Sequence, residues 1–214
     1  MQLSRSDPEY QHIASFDIET THYDPTEGEI VSIGIAVHDR ATAVEDAETH
    51  ILHRTVDRDE PTLVQAAYDI LDESSAEFLV TFNGRDFDFG FCDDRLAHHG
   101  VQTSRPTLDT PTTHLDLLHD DRKAKADQRN EKWPSLEEAL RAYGYETEPT
   151  LWDGAELTNT RFGAELGPAY LNALGRDPER AADLRAVIDE YLRDDIDKNL
   201  LLYYYDIGHL TPAV

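Results

Sequence analysis

An apolar run from Ile13 to Ile18 contains Asp17 and is followed at once by a second acid, Glu19. Because side chains alternate across a β-strand, a strand here would project both carboxylates from one face and bury Phe16 on the other. Two like charges this close raise each other's pKa, and a divalent cation between them relieves the repulsion. The run therefore predicts a strand with a metal site on one face. An edge strand with a solvated polar face is the alternative.

The sequence is long enough, at 214 residues, for one well-buried α/β domain, and no shift in composition divides it. We assign residues 1–11 to a polar N-terminal segment and residues 12–214 to the domain. The sequence shows neither a leader pattern nor an apolar run of the ~20 residues that span a membrane, so we expect a cytoplasmic protein without membrane contact. Cys92 is the only cysteine, which leaves oxygen and imidazole as ligands for any metal.

The net charge of −25 is spread along the whole chain instead of forming one acidic tail. Nucleic-acid-binding proteins ordinarily carry a basic surface, so one interpretation is an acidic protein that avoids nucleic acid. The Lys-poor, Asp/Glu-rich and Thr-rich composition also resembles that of proteins from halophiles that accumulate salt. At molar salt the Debye length falls to about 3 Å, so the charge would then reflect the solvent and would not exclude a polyanionic substrate.

Hydrophobic periodicity and turn residues predict the elements that follow the first strand. The second strand is expected to pair antiparallel to the first, and the short run at 78–82 has the composition of a buried central strand. The predicted strands are 29–37, 51–56, 78–82 and 113–118, and the predicted helices run from Pro61 to residues 74–75 and from Phe87 to Gly100. This order predicts an α/β fold in which a mixed sheet with an antiparallel meander is flanked by helices.

The second half of the chain is less regular. The charged stretch from Asp120 to Lys132 lacks periodicity and is predicted to be a mobile loop, either a lid that contacts phosphates or a solvated insertion. Residues 136–143 are predicted to form a short helix. Residues 152–162 and 166–174 are predicted to be helical on a weaker pattern.

A third acid, Asp88, follows the Asn83-Gly84 turn where the central strand passes into a helix. Ligand crevices of open α/β sheets lie at the carboxyl ends of such strands, which makes Asp88 a candidate site residue. The alternative is that Asp86 caps the helix and Asp88 is an ordinary acid of its first turn.

A fourth acid lies on the last predicted helix, which begins with the strong start signal Asp177-Pro178. An apolar stripe along this helix contains Asp195, and a charge on a buried face needs a partner or a metal ion. Tyr191 precedes it by one helical turn and would stand beside it. Asp194 and Asp197 are expected to face water. The stripe consists of Leu184, Ile188, Tyr191, Asp195 and Leu202.

Three strings of these residues resemble, in order, the motifs of the DEDD superfamily of 3′–5′ exonucleases, which have an RNase H-like fold. They are F-D-I-E-T at 16–20, N-G-x-x-F-D at 83–88 and Y-x-x-x-D at 191–195. The tyrosine subtype is most similar, as in the proofreading domains of family B DNA polymerases and in predicted RNase H-like exonucleases. The histidine subtype would need histidine where Glu190 stands. The resemblance spans residues 12–205.

The resemblance implies a metal-dependent nuclease whose catalytic residues are Asp17, Glu19, Asp88, Tyr191 and Asp195. The four acids would bind two Mg²⁺ or Mn²⁺ ions, hard cations that prefer oxygen ligands. Asp17 would bridge both ions, Glu19 and Asp195 would complete one site, and Asp88 would hold the second ion. Tyr191 has an unperturbed pKa near 10, so it would orient the attacking water instead of deprotonating it.

The resemblance also implies a single-stranded DNA or RNA substrate, without deciding between them. Asn83 and Phe87 are candidate contacts to the terminal nucleotide, although Phe87 fits the hydrophobic core equally well. A polymerase, helicase or repair protein on another chain could deliver the strand. Two alternatives remain: a non-catalytic nucleic-acid-binding or scaffolding module with the same fold, and an RNase H-like endonuclease. A module that had lost its chemistry would usually lack a carboxylate, and all four are present.

Overall fold

A five-stranded mixed sheet forms the centre of the computed structural model, which describes residues 1–210. The strands are β1 (His12–Thr20), β2 (Ile30–Asp39), β3 (Glu48–His53), β4 (Phe78–Thr81) and β5 (His114–Asp116). Their order is β3-β2-β1-β4-β5; β1 to β3 form an antiparallel meander, and β4 pairs parallel to both β1 and β5. The predicted α/β fold with an RNase H-like mixed sheet is confirmed. Residues 211–214 of the assigned domain lie outside the described residues.

Helices cover both faces of this sheet. The longer helices are α1 (Glu60–Glu73), α2 (Asp88–His98) and α7 (Pro178–Asp206). The shorter helices are α3 (Lys123–Arg129), α4 (Leu136–Arg141), α5 (Asn159–Arg161) and α6 (Gly167–Ala173), and a hairpin of β6 (Leu151–Trp152) and β7 (Ala155–Glu156) precedes α5. No helix in residues 1–210 is long and apolar enough to cross a membrane.

The alternation of β1 divides its side chains between the two faces of the sheet. Ala14, Phe16 and Ile18 pack into the cluster formed with α1 and α2, whereas Ile13 packs into the cluster that includes α4 and α7. Because side chains two residues apart share a face, Asp17 belongs to the face that α7 covers.

Gly34 of β2 lets α7 lie close to this face. It pairs with Asp17 in the β1–β2 register, and a Cβ atom at Gly34 would lie 2.8 Å from Cγ of Leu192. That distance is shorter than a van der Waals contact, so only glycine allows this approach. The N-terminus of α7 is fixed as predicted, since the Asp177 side chain accepts a hydrogen bond from the Arg180 N–H at 3.1 Å.

The charged stretch 120–132, predicted to be a mobile loop, is mostly helical. Leu118–Arg122 has π-helical geometry and continues directly into α3. Residues at a four-residue spacing, Leu118, Arg122 and Ala126, are buried. The prediction is wrong because the middle residue of this buried stripe is an arginine, so the apolar residues alone do not show the helical spacing. The arginine can be buried because its charge is paired with Asp206.

The segment 152–162 was predicted to be helical, and this is wrong for its first half. Asp153 and Gly154 have φ angles of 50° and 73°, which makes them the two-residue turn of the β6–β7 hairpin. The helix begins only at Asn159. The helix predicted at 166–174 is confirmed by α6. The third strand begins and ends three residues earlier than predicted, because β3 pairs with β2 from residue 48 to residue 53.

The N-terminal segment 1–11 lies against the domain. Leu3 is buried, and its backbone N–H donates to the Tyr143 hydroxyl at 2.7 Å. The Arg5 N–H donates to the backbone carbonyl of Asp206 at 2.8 Å, and the Arg40 guanidinium pairs with Asp7. These contacts join the start of the chain to the segment after α4, to the end of α7 and to the segment after β2.

Candidate active site

Three of the four predicted acids meet between β1 and α7. Asp17 and Glu19 project from β1, Asp195 projects from α7, and one carboxylate oxygen of each lies within 4.8 Å of the other two. The strand period places the first two side chains on one face, and the close approach at Gly34 brings the helix to them. The pairing of these strand and helix acids in one cluster was expected from the sequence.

Asp88 joins the same cavity from the first residue of α2. Its side chain is buried, and its Oδ2 atom has no hydrogen-bond partner within residues 1–210. A Cβ atom at Gly84 would lie 2.7 Å from that oxygen and 2.5 Å from Cβ of Thr81. Glycine is therefore needed at the turn for the backbone to pass so close to the acid.

A further acid that we did not single out from the sequence, Asp116, holds this turn in place. Its carboxylate accepts hydrogen bonds from the backbone N–H groups of Asn83, Arg85, Leu118 and His119 at 2.9–3.0 Å. The turn after β4 is thereby tied to the turn after β5. Because these bonds join segments about 30 residues apart, no local pattern reveals them.

The alternative role of Asp86 as a helix cap is wrong. The residue at the N-cap position of α2 is Phe87, and no side chain caps that end. Asp86 instead pairs with His119, whose Nε2 lies 3.0 Å from its carboxylate. Phe87 packs on the core, with its ring 5.7 Å from that of Phe91, and also lines the cavity.

The cavity has a volume of about 430 Å³ and is strongly acidic. Within the described residues, no lysine or arginine lines it. Asn83, with a φ angle of 69°, lies in its wall, and Tyr23, with 77 % of its surface exposed, lies at its mouth. The acids that line it are Asp17, Glu19, Asp88, Glu137 and Asp195.

The raised pKa values of the acids show that this arrangement disfavours their charged forms. Burial raises the pKa of Asp17 well above its usual range, and the charges of Asp88, Asp195 and Glu19 raise it further. Burial also raises the pKa of Glu19, with added repulsion from Asp195 and Asp88. For Asp88 the raised pKa again comes from burial, followed by repulsion from Asp116 and Asp195. Burial raises the pKa of Asp195 to about 7.

One cation of the chain, Lys198, reaches the edge of the cluster. Its Nζ lies 2.5 Å from Asp194, 3.4 Å from Glu137 and 3.8 Å from Asp195, and only 5 % of the residue is exposed. Asp194 therefore binds this lysine while 34 % of its side chain stays exposed to water, and Asp197 is half-buried. The spacing of Lys198, one turn after Asp194 and Asp195, was a signal in the sequence that we did not use.

Tyr191 lies behind the residues that line the cavity. Its hydroxyl donates to Oδ1 of Asn159 at 2.5 Å, and its ring stacks on Phe162 with 5.8 Å between centroids. Burial, followed by the charges of Glu19 and the other acids, raises the pKa of Tyr191, so the phenol stays protonated. Asn159, which sequence reasoning did not identify, lines the cavity and connects it to the tyrosine.

This donor set fits hard divalent cations. All the converging ligand atoms are carboxylate oxygens, the cluster holds more negative charge than Lys198 can balance, and Oδ2 of Asp88 is buried without a partner in the described part of the chain. Mg²⁺ and Mn²⁺ prefer such oxygen ligands, and a bound cation would favour the charged carboxylates against the burial and the mutual repulsion that raise their pKa values.

Comparisons with known proteins agree with the fold. A family model of the RNase H superfamily matches residues 14–205. Among solved structures, the chain is similar to the family B DNA polymerase of the hyperthermophilic archaeon Pyrobaculum calidifontis, with a TM-score of 0.61 and 16 % identity. That match covers 96 % of this chain and 25 % of the polymerase, so the chain spans a quarter of its length. No curated protein sequence matches the chain. The RNase H-like family that the three motifs imply is confirmed by the family model.

Proposed function

The chain belongs to the RNase H superfamily, and we propose that it is a metal-dependent 3′–5′ exonuclease that hydrolyses phosphodiester bonds at single-stranded nucleic-acid ends. The observation that carries this proposal is the meeting of Asp17, Glu19 and Asp195 within 4.8 Å, with Asp88 in the same cavity. Four acids from three separate elements converge although their charges repel, and phosphodiester hydrolysis is a reaction for which such a cluster is suited.

Asp17, Glu19, Asp88 and Asp195 would hold two Mg²⁺ or Mn²⁺ ions, which supply activation of the attacking water and stabilisation of the leaving oxygen. The chain's own contribution is positioning. Tyr191 keeps its proton, so it acts as a hydrogen-bonding group that orients the water and not as a general base.

The cavity also supports recognition of a single-stranded end. Its volume of about 430 Å³ falls in the range of small-ligand sites and suits a terminal nucleotide. Asn83 would contact that nucleotide with its polar side chain and Phe87 with its ring. Tyr23 stacks on His22 with 4.4 Å between ring centroids and would offer its exposed face to a neighbouring base. Stacking of this kind requires an unpaired strand.

We propose that a polymerase, helicase or repair protein delivers the strand, that the protein works in the cytoplasm, and that its acidic surface is an adaptation to molar salt. High salt screens the repulsion between the surface carboxylates and the phosphates of the substrate, so a chain of charge −25 can still approach a nucleic acid.

The test is metal-dependent degradation of short DNA and RNA oligonucleotides in high salt. Asp17→Ala and Asp195→Ala should each lower the release of mononucleotides by about 10³-fold or more, an order typical for removal of an essential catalytic group. Asp183→Ala changes an exposed acid of the same helix and should leave the rate unchanged. If the purified protein degrades neither nucleic acid with either metal, the proposal fails.

A blocked 3′ terminus separates exonuclease from endonuclease activity. The proposed exonuclease should not cut a 3′-blocked strand, whereas persistent internal cleavage would favour an RNase H-like endonuclease. Binding of the oligonucleotide without any cleavage would favour the non-catalytic module.

A further inference from the structure

Tyr191 and Asn159 form a hydrogen bond that no motif predicts. The two residues are 32 positions apart, on α7 and on the first turn of α5, and the bond length is 2.5 Å. The phenol is buried, whereas Asn159 is exposed and lines the cavity. The bond therefore joins a group inside the protein to the space where a substrate would react.

The position of Asn159 is fixed despite its exposure. The Thr158 side chain caps the start of α5 by accepting from the Arg161 N–H at 3.3 Å. The Arg161 guanidinium donates to the carbonyls of Trp152, Ala155 and Glu156 at 2.9–3.2 Å. The β6–β7 hairpin and α5 thus form one tied unit that presents Asn159 to the tyrosine.

The direction of the bond determines what Tyr191 can do. A tyrosine hydroxyl has one proton to donate and lone pairs that accept. Carboxylate oxygens accept hydrogen bonds, so the acids that line the cavity are alternative acceptors for such a proton. With the proton given to Asn159, the carboxylate oxygens stay free for cations, and the lone pairs of the phenol remain available to accept from a water molecule.

We propose that Asn159 is a positioning residue, which holds the Tyr191 hydroxyl as a hydrogen-bond acceptor toward the attacking water. This inference rests on the proposed exonuclease function and adds a residue to it. Asn159 itself touches no reacting atom in this scheme; it acts through Tyr191.

The bond can first be tested without any activity. In metal-free protein labelled with carbon-13 at tyrosine Cζ, the resonance lost in Tyr191→Phe identifies Tyr191. Asn159→Ala should shift this resonance, and Thr160→Ala, which changes the exposed next residue, should not. A Tyr191 resonance that is unmoved by Asn159→Ala would show that the bond does not form in solution and would overturn the inference.

The second test measures turnover of a single-stranded oligonucleotide. Asn159→Ala should lower kcat by about tenfold with little change in KM, as expected for loss of one neutral hydrogen bond that acts in the transition state. The double variant Asn159→Ala/Tyr191→Phe should be no slower than Tyr191→Phe alone, because removing the hydroxyl leaves Asn159 nothing to position.

The outcomes separate this inference from the function on which it rests. An active wild type with an unchanged or faster Asn159→Ala variant overturns only the role of Asn159. The same holds if the losses of the two single variants multiply in the double variant, since Asn159 would then act independently of the tyrosine. A wild type that hydrolyses no nucleic acid overturns the proposed function itself, and the role of Asn159 falls with it.

Discussion

Two acids on helix α7, one buried and one partly buried, have opposite surroundings. Asp206 is fully enclosed and paired, with the Arg122 guanidinium at 2.5 and 2.9 Å and the Tyr143 hydroxyl at 2.7 Å. Asp195, about three turns earlier on the same helix, faces Asp17 and Glu19, and its nearest cation, Lys198, stands 3.8 Å away. The chain provides full compensation for one acid and leaves the other among like charges.

The difference separates structural acids from ligand-binding acids. A buried charge must be paired or must bind a metal, because its transfer from water is costly. Asp206 meets this requirement within the protein, and so does Glu60, whose carboxylate is held by Arg95 at 2.6 Å. Asp195 and its neighbours have only Lys198 at their edge, so they meet it by keeping protons or by binding an added cation.

The largest effect on stability is expected at the paired acid. Asp206→Asn leaves the fully buried Arg122 without its charge partner and should lower the free energy of unfolding by about 3–5 kcal/mol. Asp17→Asn removes one of several repelling acids and should leave the metal-free protein at least as stable as the wild type. Denaturant unfolding of both variants measures the contrast, and equal destabilisation by the two substitutions would contradict it.

The next effect concerns pH. The folded protein raises the pKa of Asp195 to about 7, above the value of about 4 in an unfolded chain. Between these values the folded state binds the proton more tightly, so the contribution of this group to stability is present at low pH and is lost as pH rises through 7. Without divalent ions, the free energy of unfolding of Asp195→Asn, taken relative to that of the wild type, should therefore increase by about 2–4 kcal/mol between pH 4 and pH 8.

Denaturant unfolding at a series of pH values, compared between Asp195→Asn and the wild type, isolates this group from the other titrating residues. A stability difference that is independent of pH would show that Asp195 is ionised at a normal pKa and is already compensated within the protein.

Divalent ions should compensate the acids around Asp195 and so remove their difference from the paired acid Asp206. A cation that binds only the folded protein stabilises it by about 2.7 kcal/mol at a concentration one hundred times its dissociation constant. We expect Mg²⁺ or Mn²⁺ to raise the unfolding midpoint of the wild type and of Asp206→Asn, and to have little effect on Asp17→Asn. Differential scanning calorimetry of the three proteins, with and without each ion, measures these midpoints. An equal shift in all three proteins would place the binding outside the cluster.

The smallest effect is expected from salt, which acts on the exposed acids and little on the buried cluster. If the surface is adapted to molar KCl, screening should stabilise the fold by about 1 kcal/mol, or about 2–4 °C in the midpoint. Turnover of a short oligonucleotide should rise over the same range, although phosphate contacts alone would weaken with salt. A protein that is most stable and most active at low salt would refute the halophilic interpretation.

Much of the fold could be predicted because it depends on local periods. The alternation in β1, the turn at Asn83-Gly84 and the stripe of α7 each lie within one element, and the structure gives each the predicted form. The failure at the charged stretch has a non-local cause. The helix at 118–129 was missed because buried Arg122 interrupts its apolar stripe, and the partner that allows this burial lies 84 residues away.

The sequence by itself determined which side chains share a face, because the periods of strand and helix are fixed by backbone geometry. It thereby placed Asp17 with Glu19 and Tyr191 beside Asp195. Only the tertiary structure decided how these pairs meet. The approach of α7 over Gly34, the support of the Asp88 turn by Asp116 and the bond from Tyr191 to Asn159 all join residues distant in the chain. Such contacts carry no period, since they depend on the packing of complete elements.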